Sequence, residues 1–254
     1  MSKILKDLNP VQREAVQHID GPLLIFAGAG SGKTRALTYR IAYLIGHHGV
    51  DPRSILAVTF TNKAAREMKE RIGGLIGART LAHMWVGTFH ATCARVLREK
   101  GDKIGLDRDF VIYDEDDQIK LVRECLEELD LDERENNPRQ IVHGISRAKE
   151  QMVLPEDYEA AFRGSSDPLV SRVYPLYQKK LLLNHALDFD DLILYAVRLL
   201  QEQEEVRTLY QQKFKYVLVD EYQDINQSQF EFVKTLAEPQ QNLCVVGDDD
   251  QSIY

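Results

Sequence analysis

The sequence of 254 residues contains little cysteine and no long apolar run. Its three cysteines, Cys93, Cys125 and Cys244, are odd in number, lie far apart and form no CxxC pair. This pattern argues against a disulfide framework and against a zinc site. No apolar stretch approaches the roughly 20 residues that a membrane helix needs, and residues 1–10 lack the core of a signal peptide. We therefore expect a soluble, cytoplasmic protein.

The chain also lacks an overall positive charge, because 40 Asp and Glu outnumber 32 Lys and Arg and give a net charge of −8. Taken alone, this imbalance disfavours a nucleic-acid partner. The charge is unevenly distributed, however. Residues 31–100 hold 12 Lys and Arg against 4 Asp and Glu, a local charge of +8, so the remainder carries −16. On charge alone, such a basic segment fits a phosphate backbone and a solvated helix face equally well.

Neither glycine, proline nor a repeat dominates the sequence, and 44% hydrophobic residues suffice for one large domain or two modest ones. Short apolar runs predict buried strands at 22–27, 54–60, 84–89, 216–220 and 242–247. Amphipathic stretches between them predict helices at 10–19, 33–46, 62–76 and 226–236. This alternation predicts an α/β fold with a parallel sheet.

The segment 91–215 interrupts this alternation. It contains mostly helical patterns, at 91–100, 115–129, 138–150, 169–185, 188–201 and 203–214. The economical interpretation is an α/β domain in two sequence pieces, 1–90 and 216–254, with a largely helical insertion over 91–215.

Residues 27–34, AGAGSGKT, match the phosphate-binding pattern G-x-x-x-x-G-K-[ST] between a predicted strand and a predicted helix. Glycines let the backbone curl around phosphate oxygens, and the helix N-terminus adds unpaired N–H groups. Lys33 would reach the β- and γ-phosphates of ATP, and the Thr34 hydroxyl would bind Mg²⁺. The alternative, an accidental glycine-rich turn, is disfavoured by the flanking elements.

A second motif, VLVDEYQD at 217–224, ends an apolar strand with two carboxylates. Asp220 can hold Mg²⁺ through water, and Glu221 can polarise an attacking water. Taken alone, the motif reads as a strand capped by exposed acids. Combined with a phosphate-binding loop, it predicts a nucleotide-hydrolysing site.

Several blocks, in order and at fitting spacing, resemble the bacterial Rep/PcrA/UvrD group of superfamily 1 DNA helicases. They are LNPVQREAV (8–16), AGAGSGKT (27–34), TFTNKAAREM (59–68), VGTFHATCARVLR (86–98), LDFDDLI (187–193), VDEYQDIN (219–226) and VVGDDDQSIY (245–254). The resemblance implies an α/β fold: a RecA-like P-loop parallel sheet (domain 1A) interrupted by a helical insertion (domain 1B). It also implies ATP and Mg²⁺ as cofactors, and an ATP-dependent 3′–5′ DNA helicase or translocase.

The resemblance further implies roles for individual residues. Gln12 would recognise adenine, Arg35 would lie beside the nucleotide, and Gln251 would contact the γ-phosphate and couple it to DNA. The predicted nucleotide site comprises Gln12, Ala27, Gly28, Ala29, Gly30, Ser31, Gly32, Lys33, Thr34 and Arg35, with Lys33, Asp220, Glu221 and Gln251 as catalytic residues. The predicted contacts to single-stranded DNA are Phe60, Thr61, Asn62, Thr88, His90 and Tyr254.

Alternative interpretations remain for these residues. Phe60 reads equally as core, His90 as a structural histidine, and LDFDDLI as a helix N-terminus with acids in its first turn, with no catalytic role. In the family, a second RecA-like domain named 2A follows, with domain 2B inserted in it, and the motifs of 2A supply arginines that contact the γ-phosphate. We therefore expect this chain to bind nucleotide and single-stranded DNA but to hydrolyse ATP slowly or not at all.

Two other functions are kept open. One is a nucleotide-gated module that binds single-stranded DNA or docks a partner without turnover. The other is a phosphotransferase of the nucleotide-kinase type, which explains the phosphate-binding loop but none of the later motifs. Self-association through an exposed apolar 1A face is also expected.

Overall fold

The computed structural model describes residues 3–28 and 30–248. The longer helices are α2 (Pro10–Gln17), α3 (Lys33–His48), α4 (Asn62–Ile76), α6 (Phe89–Lys100), α7 (Glu115–Glu128), α8 (Pro138–Glu150), α10 (Pro168–Leu183), α11 (Phe189–Glu202), α12 (Glu204–Lys213) and α13 (Gln227–Ala237). Single-turn helices are α1 (Lys3–Lys6), α5 (Ala78–Leu81) and α9 (Tyr158–Ala161). The strands are β1 (Leu23–Phe26), β2 (Ile55–Thr59), β3 (Trp85–Thr88), β4 (Val111–Tyr113), β5 (Ala186–Asp188), β6 (Tyr216–Val219) and β7 (Leu243–Gly247).

The main sheet contains the five strands that the apolar runs predict. Its order is β1-β7-β6-β2-β3, and every neighbouring pair is parallel. The α/β fold with a parallel sheet is therefore confirmed. Because all five strands run the same way, their carboxyl ends meet at one edge, where such sheets bind ligands.

Helices α3 and α4 cover one face of this sheet. Their apolar side chains pack on inward-facing residues of the strands, and the shared core contains Leu37, Ile41, Leu44, Met68, Ile72, Ala57, Leu218 and Val246. Burial of each leucine or isoleucine side chain contributes roughly 1.5–3 kcal/mol. The packing anchors the start of α3, and therefore the glycine-rich loop, to the sheet edge.

The chain divides into two compact units. The first contains the described residues within 1–92, 204–225 and 233–254, and the second contains 93–203 and 226–232. The sequence-based boundaries at 90/91 and 215/216 stay predictions.

The second unit is largely helical, with a core formed by α7, α8 and α10. It also holds a parallel two-stranded sheet, β4 and β5, that the sequence patterns did not predict. Helix α11 begins in the LDFDDLI motif, where Asp188 and Asp191 form a reciprocal capping box. The interpretation of this motif as a helix N-terminus is confirmed.

No helix within residues 3–28 and 30–248 is long and apolar enough to cross a membrane.

Candidate functional site at the carboxyl edge of the sheet

The candidate site lies where three neighbouring strands of the main sheet end. The glycine-rich loop follows β1, Asp248 follows β7, and Asp220 and Glu221 follow β6. The register pairs Phe26 with Gly247 and Val219 with Val245, so the three strand ends lie side by side. Residues that are far apart in the sequence thereby meet at one edge.

The loop depends on glycine where it enters α3. Gly32 has φ +87°, a conformation that side-chain-bearing residues rarely adopt, and a Cβ there would lie 2.7 Å from Gln12 Nε2. Gly32 is also the N-cap of α3, and no side chain in the described part of the chain caps this helix. The backbone N–H groups of its first turn are therefore available to an anion.

Lys33 is held by two oxygen atoms. Its Nζ donates to the carbonyl of Ala27 at 2.8 Å and to Asp248 Oδ2 at 2.7 Å. The Lys33 side chain is 10% exposed and that of Asp248 is 1% exposed. The Coulombic attraction within a charge pair this well shielded from water is stronger than that within a surface ion pair. A phosphate group that binds Lys33 must therefore compete with Asp248.

Thr34 and Asp220 provide hard oxygen ligands next to the loop. Thr34 Oγ1 donates to Asp220 Oδ2 at 3.1 Å, and Asp220 is 3% exposed. Burial, together with the neighbouring charge of Glu221, raises the pKa of Asp220 above its usual value. A buried carboxylate beside a hydroxyl fits Mg²⁺, which prefers oxygen ligands and would compensate the buried charge.

Glu221 adopts an unusual backbone conformation directly after β6. Its φ is +56°, in the left-handed region, and its N–H donates to Asp220 Oδ1 at 3.2 Å. Non-glycine residues adopt this conformation at a cost of about 1–3 kcal/mol and cluster at functional sites. The backbone thus turns sharply to present the Glu221 side chain at the sheet edge.

The start of α2 is attached to the glycine-rich loop through Gln12. Gln12 forms a capping box with Asn9, and its Nε2 donates to the carbonyl of Ser31 at 3.0 Å. Arg35 donates to the carbonyl of Asp7 at 2.7 Å and lies over the Tyr39 ring. Adenine recognition by Gln12 and nucleotide contact by Arg35 stay predictions.

The residues predicted to bind DNA follow β2 and β3, at the same edge. Thr61 and Thr88 cap helices, since their hydroxyls accept the N–H of Ala64 at 3.0 Å and of Ala91 at 3.2 Å. Phe60 is half-buried, and its ring lies edge-on to Phe89 with centroids 5.6 Å apart.

The remaining two predicted DNA contacts differ in exposure. Asn62 is exposed. His90 is half-buried, and burial lowers the pKa of its imidazole, which favours the neutral form. The DNA contacts stay predictions. Ala29, Gln251 and Tyr254 lie outside the described residues.

Sequence reasoning did not single out Asp248 or Arg40, although both shape the site. Asp248 follows a predicted strand, but its run of three aspartates did not reveal which one contacts Lys33. Arg40 is 1% exposed, and its two Nη atoms donate to the carbonyls of Ala15 and Ile19. It thereby holds the end of α2 against α3. A charged residue within an apolar helix pattern was the available signal.

The parallel sheet, the glycine-rich loop and the acidic strand end define a P-loop domain of RecA-like type. Residues 8–254 match the family described as "UvrD/REP helicase N-terminal domain". The chain is 53% identical over 253 residues to the ATP-dependent DNA helicase PcrA of Bacillus subtilis (strain 168), covering 100% of this chain and 34% of that protein. It is 47% identical over 254 residues to the same-named protein of Staphylococcus aureus (strain Mu50), covering 35% of its length.

The chain therefore belongs to the UvrD/REP helicase N-terminal domain family. It spans about a third of the length of these curated relatives.

Proposed function

We propose that this chain is the ATP- and single-stranded-DNA-binding portion of an ATP-dependent 3′–5′ DNA helicase or translocase. The observation that carries the proposal is the cluster of Lys33, Thr34, Asp220 and Asp248 beside the uncapped start of α3. Two relatives named as ATP-dependent DNA helicases support it. A cytoplasmic location stays a prediction.

In this proposal the loop and α3 bind the phosphates of ATP. Backbone N–H groups from Gly30 to Thr34 cradle the phosphate oxygens, and Lys33 exchanges Asp248 for the β- and γ-phosphates. Gln12, whose Nε2 donates to the carbonyl of Ser31, would recognise the base through its amide. ATP binding replaces one buried charge pair of Lys33 with another. Because Lys33 is already removed from water in the structure, ATP binding does not require its desolvation.

Thr34 and Asp220 would hold Mg²⁺, which neutralises charge that develops on the phosphates. Glu221 would orient and polarise the attacking water. Phosphoryl transfer also relies on arginines aimed at the γ-phosphate, and the family resemblance implies that a further domain supplies them. We therefore expect slow turnover from this chain alone. Gln251 is predicted to link the γ-phosphate to the DNA site.

Single-stranded DNA would lie along the ends of β2 and β3, near Phe60, Asn62 and His90. The exposed cations of α4, Lys63, Arg66 and Lys69, support this location because they provide phosphate contacts without base specificity. A base stacked on Phe60 would gain roughly 1–3 kcal/mol.

The alternative is a nucleotide-gated DNA-binding or docking module without turnover. To separate the two functions, binding of a fluorescent ATP analogue and ATP hydrolysis are measured with Mg²⁺, with and without oligo(dT). Lys33→Ala is the test variant, and Lys120→Ala on the exposed face of α7 is the matched control.

DNA-stimulated turnover lost only in Lys33→Ala supports the motor. Binding that Lys33→Ala abolishes, without turnover in the unmodified chain, is compatible with the binding portion of a motor and with the module, and it contradicts only catalysis by this chain alone. Binding that is equal in both variants contradicts both functions.

Self-association of this chain is a further part of the proposal. Val11, Leu24 and Phe26 are 75%, 52% and 58% exposed and line one apolar groove at the edge strand β1. Exposed apolar groups on an edge strand promote pairing with a second chain. Sedimentation should show a dimer in the unmodified chain and a monomer in Phe26→Lys. A monomer at every concentration of the unmodified chain would contradict self-association.

A further inference from the structure

Gln223 lies between the carboxylates that follow β6 and the backbone that follows β7. Its Nε2 donates to Glu221 Oε2 at 2.8 Å and to Asp224 Oδ2 at 3.2 Å. Its Oε1 accepts the backbone N–H of Asp248 at 2.9 Å. One half-buried side chain therefore bridges the ends of two neighbouring strands.

The three contacts fit the chemistry of a glutamine amide. The position needs a donor toward two carboxylates and an acceptor toward one N–H, and a primary amide provides both. The reversed amide would place its carbonyl against the carboxylates of Glu221 and Asp224. An ionised glutamate cannot donate, and methionine offers neither a strong donor nor a strong acceptor.

The surrounding backbone is shaped to admit this side chain. A Cβ at Gly247 would lie 3.1 Å from Gln223 Oε1 and 3.6 Å from Gln223 N, so glycine at the end of β7 leaves the required space. On the other side, Glu221 has its strained φ of +56°. A strained residue persists when its surroundings hold it, and the Gln223 amide is one such restraint.

Asp248 connects this bridge to the phosphate-binding loop. Its backbone N–H binds Gln223, while its carboxylate binds Lys33 at 2.7 Å. A change of partner at Lys33 therefore reaches the residue that anchors the Gln223 side chain.

We propose that Gln223 is a positioning residue that fixes the Glu221 carboxylate and couples it to Asp248 and Lys33. When Lys33 moves to a phosphate, Asp248 loses its cation, and the bridge transmits the change to Glu221. The catalytic part of this role rests on the proposed function, whereas the bridge itself does not.

The bridge is tested first, without nucleotide, by NMR of the backbone amide of Asp248. In the unmodified chain, Glu221→Ala should shift this resonance because Gln223 loses a partner and moves. In a Gln223→Met background, the same substitution should shift it at least threefold less. Equal shifts in both backgrounds, or no shift in either, would overturn the bridge. Retained dispersion elsewhere in each spectrum reports that the variants fold.

The positioning role is tested next with Gln223→Glu, which keeps an acceptor for Asp248 but sets a third carboxylate against Glu221 and Asp224. The matched control is Gln227→Glu, an exposed glutamine whose Nε2 also donates to a carboxylate, Glu231 Oε1 at 3.0 Å. Single-turnover hydrolysis is measured with the chain in excess over ATP, and Glu221→Gln gives the blank rate.

We expect Gln223→Glu to lower the single-turnover rate at least tenfold while the affinity for the ATP analogue stays within threefold. The control should change neither quantity. An unchanged rate in Gln223→Glu would overturn the positioning role. A chain that binds nucleotide without turnover would overturn the catalytic part of the role, and the NMR comparison would still decide the bridge. Failure of the proposed function is separate, because it appears as nucleotide binding that does not depend on Lys33.

Discussion

Lys33 pairs with Asp248 in the structure and with phosphate in the proposed complex, so Asp248 is a competitor for the nucleotide. Asp248→Asn should release Lys33 and remove a negative charge near the phosphates. We expect the ATP analogue to bind about tenfold more tightly, equivalent to about 1.4 kcal/mol. Equilibrium fluorescence titration measures this. Weaker binding in Asp248→Asn would show that Asp248 assists binding.

A second single-residue prediction concerns Lys149, which the sequence patterns did not single out. Its Nζ is fully buried and contacts Asp188 Oδ2 at 2.6 Å and Asp191 Oδ1 at 2.8 Å. Lys149→Met leaves two buried carboxylates without their cation. We expect the free energy of unfolding to fall by about 3–5 kcal/mol in urea titrations.

The control for Lys149 is Lys180→Met. Lys180 pairs with Glu128 at 2.8 Å, but the two side chains are 23% and 56% exposed. An ion pair open to water contributes about 0–1 kcal/mol. Equal losses in both variants would contradict the view that burial makes Lys149 important.

The raised pKa of Asp190 should make the stability of the chain depend on pH. Burial, then the charge of Asp188, raises the pKa of this carboxyl to about 7, against the lowering effects of Ser146 and Lys149. In the folded chain, Asp190 therefore keeps a proton that it releases near pH 4 when the chain is unfolded. As a result, the free energy of unfolding falls as the pH rises from about 4 to 7. Between pH 5 and pH 8, the free energy of unfolding of Asp190→Asn should rise by about 2.7 kcal/mol relative to that of the unmodified chain in urea titrations. A constant difference would contradict the assignment.

At the scale of elements, the backbone conformation and a close neighbour constrain the residue that joins the glycine-rich loop to α3. Gly32→Ala introduces a Cβ at φ +87° and 2.7 Å from Gln12 Nε2. We expect it to lower the free energy of unfolding by about 1–2 kcal/mol, because an L-residue is strained there and Gln12 must move. At Gly28 a Cβ would meet nothing within 4 Å among the described residues. Thermal unfolding should therefore find Gly28→Ala nearly neutral, and the reverse order would contradict the geometry.

Much of the element layout could be predicted from the sequence, and the exceptions have a physical cause. Apolar runs marked all five strands of the main sheet. In β2, where every residue is buried, the reason is that a strand covered on both faces carries continuous apolar sequence. Strands β4 and β5 have three residues each, too few for a periodic signal. Their pairing joins segments about 75 residues apart, and a local sequence pattern contains no information about such a distant partner.

At the scale of the whole molecule, a basic segment in an acidic chain should make DNA binding sensitive to salt. Each phosphate contact to a single strand contributes about −0.7 to the slope of log affinity against log salt concentration. The double variant Lys63→Gln and Arg66→Gln on α4 should therefore flatten the slope by about 1.4. Fluorescence anisotropy with labelled oligo(dT), at salt concentrations from about 50 to about 200 mM, measures this slope.

The matched control changes the same number of charges on α7, as Lys120→Gln and Arg123→Gln. This helix lies in an acidic part of the sequence, so its variant should keep the original slope. A slope that changes equally in both double variants would show that net charge, and not α4, governs DNA binding.

The sequence by itself determined the features that contiguous residues encode. These are the glycine-rich loop, the acidic end of β6, the alternation of strands and helices, and the helix N-terminus in LDFDDLI. Each depends on backbone conformation over a few neighbouring residues, so a short pattern is sufficient to reveal it.

Only the tertiary structure decided which distant side chains meet. Lys33 and Asp248 are 215 residues apart and come together because β1 and β7 are neighbours in the sheet. Gln223 reaches Asp248 because β6 lies on the other side of β7. Strand order depends on how the whole core packs, and no local pattern distinguishes one aspartate of a run from the next. The contacts that connect Lys33 to Glu221 are therefore a property of the fold.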